Sequence, residues 1–286
     1  MARITSFENL KTLFELARLR NCIIGFLGIL VAVLFLDSDI LSESTILAGF
    51  SLILIISAGN MINDYFDFQV DKINRADRPI PSGRIKRSNV LILSLLFFVF
   101  GIAIAFFINL YCFILSIVNS IFLVFYGKFS KKLLFVSNLG IAYLIASLFI
   151  FGAFSAGLSS FGEKTTLLSI LTASAFLMTL SREIIKDIED MEGDKKSGSV
   201  SIPIKFGPTI AKNLAVIFAV FAIVVSFLPF FLAVGKFNLY IYSFLISVSD
   251  VIFLVSLKMK PEKTQRMMAL GMFLALIAFF IGKFAA

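Results

Sequence analysis

The sequence predicts an all-α integral membrane protein with nine transmembrane helices and its N-terminus on the cytoplasmic side. Three observations carry this. The 286 residues are 59% hydrophobic and only 15% charged, with a mean hydropathy of +0.99, whereas a soluble domain carries about a quarter charged residues. Apolar stretches of about 20 residues, enough to cross a bilayer as helix, recur along the whole chain. The basic residues collect on alternate loops.

Taken in order, segment 1–20 is charged and lacks the short apolar core and small-residue cleavage site of a secretory signal. Its Phe7, Leu10, Leu13, Phe14 and Ala17 form a helical stripe suited to lying on a membrane surface. Spans follow near 21–36, 45–66, 89–108, 110–127, 137–157, 165–186, 212–234, 237–257 and 267–285. The third and fourth are separated by little more than Asn109, and reading through that turn would reduce the count to eight. With the N-terminus inside, 23 of the 26 Lys and Arg residues fall on the inner side, leaving Lys164, Lys236 and Lys283 outside. That bias fixes the orientation. The net charge of +8 then answers to anionic headgroups and calls for no nucleic acid. Chain 1–286 reads as one transmembrane domain.

Cys22 falls at the inner end of the first span and Cys112 near the outer end of the fourth. At about 1.5 Å per helical residue they stand most of a bilayer apart, too far to bridge. The chain has no histidine, which excludes His-ligated haem, His-type zinc sites and His general bases.

The polar exception to all this apolarity is "NMINDYFDFQVDKINRADRPIPSGR", residues 60–84. Asn60, Asp64, Asp67 and Asp71 are spaced i, i+4, i+7, i+11, one face of a single helix, with Asn63 beside them. Three stacked carboxylates repel one another, and the C-terminal end of a helix disfavours them further, so cations must compensate. The pattern recurs in "REIIKDIEDMEGDKKSG": Glu183, Asp187, Asp190 and Asp194 repeat the spacing at a constant offset of 123 residues. Each set precedes a basic loop with proline. Two related halves, with motifs at 60–71 and 183–194, account for the repetition.

Two acidic faces on the same side of the membrane suit a hard cation. Oxygen donors favour Mg²⁺, which binds through a few carboxylates and keeps room for water and substrate phosphates. Arg78, Lys128, Lys131, Lys132, Arg182 and Lys186 would hold the phosphate oxygens, which points to a diphosphate substrate. One acidic helix end is commonly no more than a solvated terminus, but two matched faces on one side are not. Lys195, Lys196, Lys258, Lys260 and Lys263 read as plain orientation charges.

These blocks resemble the two aspartate-rich motifs of the UbiA superfamily of intramembrane prenyltransferases. "RLRN" opening the first span and "YGKFSKK" after the fourth extend the resemblance over nearly the whole chain. It implies nine transmembrane helices around a central cavity. It places Asn60, Asp64, Asp67 and Asp71, and Asp187, Asp190 and Asp194, at the Mg²⁺-diphosphate positions. Arg20 with Asn21, Arg78, Lys128 and Lys132 take the place of diphosphate-binding groups, and Tyr126 matches the loop aromatic. Two departures stand out: Tyr-Gly where Tyr-Ser is common, and Lys132 where Arg is frequent.

The chemistry implied is ionisation of an allylic diphosphate, with developing negative charge on oxygen met by Mg²⁺ and cations. The resulting carbocation must be kept from water, and aromatic faces among 35 phenylalanines stabilise such charge, although most of those rings serve packing and lipid contact. The wording is most similar to the archaeal branch that joins geranylgeranyl diphosphate to geranylgeranylglyceryl phosphate, making the second ether of archaeal lipid. Since "RPIPSG" also occurs in chlorophyll synthase-like members, an aromatic or chlorophyllide-like acceptor is the alternative. An isoprenyl diphosphate and a membrane-embedded lipid acceptor are thus the expected partners, with Arg182 or Lys186 available to an acceptor phosphate. Asp250, deep in the eighth span, serves either the acceptor site or packing through Ser247 or Ser249. A cation transporter is the rival from another class. It is disfavoured by a nearly charge-free outer half and by the cationic surplus around the acids. A non-catalytic scaffold leaves the paired motifs unexplained.

Overall fold

The computed structural model describes residues 6–129, 133–158, 165–196, 198–232 and 236–286. Twelve α-helices are present among them: α1 (Ser6–Ala17), α2 (Leu19–Phe35), α3 (Glu43–Phe66), α4 (Phe68–Asn74), α5 (Arg87–Ile108), α6 (Leu110–Phe129), α7 (Val136–Ser155), α8 (Thr166–Lys196), α9 (Ile202–Phe206), α10 (Pro208–Ser226), α11 (Leu239–Ser256) and α12 (Pro261–Phe284). No strand occurs among the described residues. Helices are what lipid demands, because they satisfy every backbone donor and acceptor internally. Eight of them are long and apolar enough to cross a membrane, and a ninth span results if α1 and α2, bent by 54° at Arg18, count as one. The narrow boundary at Asn109 is a true break: that residue is extended, with φ −172° and ψ 171°, and its side chain accepts the Cys112 N–H at 2.9 Å to start α6.

The chain divides into two compact units, residues 1–27 with 41–130 and residues 28–40 with 131–286. In the first, α3 packs against α5 and α6. Without a hydrophobic driving force between helices in lipid, small residues and hydroxyl hydrogen bonds do the joining. Ser51 Oγ donates to the Gly101 carbonyl at 2.8 Å, and Ser94 Oγ to that of Ala58 at 3.0 Å. A Cβ at Gly101 would fall 2.8 Å from Ile55 Cγ1, so only glycine permits this approach. Leu16, Ala17, Met61, Ile80 and Val90 form the core beneath α1. Of the amphipathic stripe, Leu13 and Ala17 join that core, while Leu10 and Phe14 are exposed.

In the second unit, α8 packs against α7, α10 and α12. Ala211, Ala215, Ala219 and Ala222 recur at helical spacing along α10 and are all buried. Ser181 Oγ of α8 reaches the Ala215 carbonyl at 2.7 Å. On α11, Ser249 Oγ donates to the Gly271 carbonyl of α12 at 2.8 Å.

Candidate active site

The first acidic run does not lie on one helix. Helix α3 ends at Phe66, Asp67 sits at the junction with φ −78° and ψ −1°, and α4 resumes at Phe68. Near-zero ψ is the bridge region, where regular helix gives way. Asn63 Nδ2 donates to Asp67 Oδ2 at 3.1 Å, bonding the junction side chain locally, which is how aspartate favours helix ends over interiors. Asn60, Asn63 and Asp64 therefore belong to α3 and Asp71 to α4.

The cations that stacked carboxylates require are present. Asp64 is 6% exposed and Asp71 5% exposed. Arg18 Nη2 lies 2.7 Å from Asp64 Oδ1. Arg78 Nη1 lies 3.2 Å from the same oxygen and 2.7 Å from Asp71 Oδ2. Two guanidiniums thus alternate with two carboxylates, so the charge is balanced where it is least hydrated.

Arg18 is the residue that sequence reasoning missed. Arg20 and Asn21, given the phosphate role by resemblance, are exposed on α2, while Arg18 turns in. The cause is local: Arg18 has φ +51°, a left-handed conformation at the α1–α2 bend that few non-glycine residues adopt. Asn60 Nδ2 donates to the Ala17 carbonyl at 3.0 Å, taking up a helix-end acceptor beside the bend. A second clamp holds the loop that carries Arg78. Arg84 pairs with Glu15 through two bonds of 2.6 and 3.0 Å and donates to the Asp77 carbonyl. The Glu15 carboxylate raises the Arg84 pKa further above its ordinary value. Of the remaining groups here, Tyr126 is half-buried, 6.4 Å from the Phe122 ring. Lys128 is exposed and lies over the Phe129 ring. Gly127 between them has a structural reason: a Cβ there would lie 3.2 Å from Phe66 and 3.6 Å from Asn63 Cα, so α6 approaches the motif end of α3 closely. Lys131 and Lys132 lie outside the described residues.

The second acidic set, by contrast, rides an unbroken 31-residue helix, which stops where Gly198 takes φ +73° and Ser199 N–H bonds the Asp194 carbonyl at 3.0 Å. Glu183 is buried, and both Arg182 (2.9 Å) and Lys186 (3.6 Å) converge on it. Arg182 Nη2 also donates to Gln265 Oε1 at 3.2 Å, and Gln265 Nε2 to Glu189 Oε2 at 2.8 Å, tying α8 to α12. Asp187 accepts from Asn138 Nδ2 of α7 at 2.9 Å. Asp190 is exposed and Asp194 half-buried. Asn138 was also missed, although a lone amide at the start of an apolar span is itself a signal. Asp250 is bonded by neither Ser247 nor Ser249. Ser226 Oγ of α10 donates to it at 3.2 Å, and Tyr242 Oη donates to the Ser226 carbonyl at 2.6 Å.

Among the described residues, no three His, Cys, Asp or Glu side chains converge closely enough to hold an ion unaided. The donor set fits Mg²⁺ all the same. That ion needs only one or two carboxylates when substrate phosphates and water complete its shell, and all donors here are oxygen. A buried acceptor, Asn138 Oδ1, stands unpaired beside Asp187 among the described residues.

The chain is similar to known proteins over nearly its whole length. Digeranylgeranylglyceryl phosphate synthase of Methanosarcina mazei is 36% identical, over 96% of this chain and 98% of its own. A solved structure concerned with digeranylgeranylglyceryl phosphate synthase in membranes superposes with a TM-score of 0.78 at 34% identity, covering 98% of this chain and 100% of the other. A UbiA homolog from Archaeoglobus fulgidus bound to GPP and Mg²⁺ shares the fold, with a TM-score of 0.73 at 18% identity over 94% of this chain and 98% of its own. The pattern that defines the UbiA prenyltransferase family matches residues 24–277. This multi-pass membrane protein, with its two aspartate-rich helix ends, belongs to the UbiA prenyltransferase family.

Proposed function

We propose that the chain transfers a geranylgeranyl group from geranylgeranyl diphosphate to geranylgeranylglyceryl phosphate, in a Mg²⁺-dependent reaction that makes the second ether of archaeal membrane lipid. The observation that carries this reading is similarity over nearly the full length of both chains to synthases of that name, 36% identical in the Methanosarcina mazei case. Two acidic motifs interleaved with basic side chains are the chemistry such a donor needs.

In this reading the allylic C–O bond breaks and its electron pair leaves with pyrophosphate. The acceptor hydroxyl oxygen then bonds to the cationic carbon and passes its proton to the released pyrophosphate or to a motif aspartate. Mg²⁺, when bound, neutralises charge growing on the departing oxygens. Asp64, Asp67 and Asp71 of the first motif and Asp187, Asp190 and Asp194 of the second would be the carboxylates that hold it. Arg18 and Arg78, which pair with Asp64, would exchange that carboxylate for diphosphate oxygens, since a guanidinium's planar fork fits either. Arg182 and Lys186 are the cations for the acceptor's phosphate. The motif-bearing ends face the cytoplasm, where the basic loops lie.

The test is an acceptor panel. Purified protein with Mg²⁺ and labelled geranylgeranyl diphosphate is offered geranylgeranylglyceryl phosphate, 4-hydroxybenzoate, a naphthoate and chlorophyllide. A doubly prenylated ether is expected, lost in both Asp64→Ala and Asp187→Ala. Product with an aromatic acceptor alone would discard the lipid acceptor, and pyrophosphate release unaffected by either substitution would discard the two-motif site.

A further inference from the structure

The unused group beside the second motif is the amide of Asn138. This residue lies in the first turn of α7 and is 2% exposed. Its Nδ2 donates to Asp187 Oδ2 at 2.9 Å. An ionised carboxylate only accepts, so the NH₂ end must be the one that faces it. That leaves the amide oxygen buried and accepting nothing among the described residues, a costly state for a polar atom away from water. The placement is enforced. Phe135, just ahead of α7, has φ +62°, which a bulky side chain rarely adopts and which persists only where surroundings hold it. Its ring is stacked on that of Phe218 of α10, 6.3 Å away at 15°.

The carboxylates of the chain differ in who holds them. Asp64 and Glu183 are each met by two cationic side chains, which lower their attraction for a further cation. The hydrogen bond to Asp187 comes from a neutral amide, which orients the group without neutralising it as a guanidinium at hydrogen-bond distance would, while the Lys186 charge acts on it through space. Such outer partners fix metal-binding carboxylates, and Mg²⁺ keeps several of its waters when it binds. We propose that Asn138 is a positioning residue of the second motif. Its Nδ2 fixes the Asp187 carboxylate, and its Oδ1 receives an O–H from water carried by the divalent cation that Asp187 serves. The inference rests on the Mg²⁺-dependent prenyltransferase reading given above. The acceptor's own hydroxyl is the other O–H source. Burial favours water, which is small and carries no lipid chain.

The test measures Mn²⁺ binding by electron paramagnetic resonance in detergent-solubilised protein, with a non-ionising thiolo analogue of geranylgeranyl diphosphate present and no acceptor. Asn138→Leu is expected to weaken Mn²⁺ binding by about tenfold to a hundredfold, with the KM for the acceptor unchanged in parallel assays. Unchanged Mn²⁺ affinity overturns the assignment. So does a raised acceptor KM with Mn²⁺ affinity intact, which would give Oδ1 to the substrate hydroxyl. Should Asn138→Leu fail to fold, the exchanged pair Asn138→Asp with Asp187→Asn keeps both the hydrogen bond and the volume. That pair is expected to fold and to bind Mn²⁺ at least about tenfold more weakly, and full affinity in it overturns the proposal. Wild-type protein that binds no Mn²⁺ with the diphosphate analogue defeats the Mg²⁺-dependent reading itself, a result distinct from variants that match a binding wild type.

Discussion

Two arginines separated by one leucine, Arg18 and Arg20, are indistinguishable by composition, yet the structure gives them different surroundings. Arg18 meets a buried carboxylate at 2.7 Å, whereas Arg20 is exposed. Arg18→Ala should therefore lower turnover by at least about tenfold, equivalent to 1.4 kcal/mol. Arg20→Ala should shift stability by no more than about 0.5 kcal/mol, as surface changes do. Steady-state rates and thermal unfolding of the two variants check both statements. Arg78 is the stricter case, since it is shared between Asp64 and Asp71. Arg78→Ala removes the cation 2.7 Å from Asp71, and breaking such a buried pair costs about 3–5 kcal/mol. A variant that melts within a degree of wild type would contradict that. The need for cations at the first motif was legible in the acidic spacing alone, and Arg78 was among those named. Which of the two N-terminal arginines turns inward was not. The choice depends on a positive φ at Arg18, and neither glycine nor proline marks that position in the sequence.

Among the elements, α3 and α8 carry the same spacing of polar residues but not the same backbone. The first is interrupted at Asp67, and the second runs 31 residues without a break. Periodicity reveals a shared face and is blind to an interruption that keeps the i to i−4 bonds on either side, as here between Asp67 and Asn63 and between Asp71 and Asp67. The spans themselves were plain from apolar length, the first at 21–36 and the break at Asn109 included. What length did not show is that the first, α2, joins α1 through a 54° bend. Where helices touch, the contact rests on single small residues. Gly101→Val would drive a branched side chain into Ile55 and the Ser51 carbonyl of α3, and overpacking of this kind costs about 1–3 kcal/mol. Thermal unfolding in detergent is the measurement, and a variant as stable as wild type would show that α3 and α5 part easily.

For the molecule as a whole, orientation rests on charge bias alone and can be measured directly. Both native cysteines are free and buried, so a Cys22→Ala, Cys112→Ala background is suited to single-cysteine labelling. A cysteine at exposed Glu262 should react with a membrane-impermeant maleimide only in inside-out vesicles, and one at exposed Lys236 only in right-side-out vesicles. The opposite pattern would invert the topology and with it the side from which substrate arrives. Arg18, Asp64, Arg78 and Asp71 form a ladder of alternating charge. A chain that supplies its own counterions at a buried site has little use for dissolved ones, so changes in salinity should leave this end of the fold undisturbed. Two guanidiniums already neutralise Asp64, so on the function proposed above an arriving diphosphate would compete for those arginines, and the carboxylate would become available to a cation as the anion takes its place.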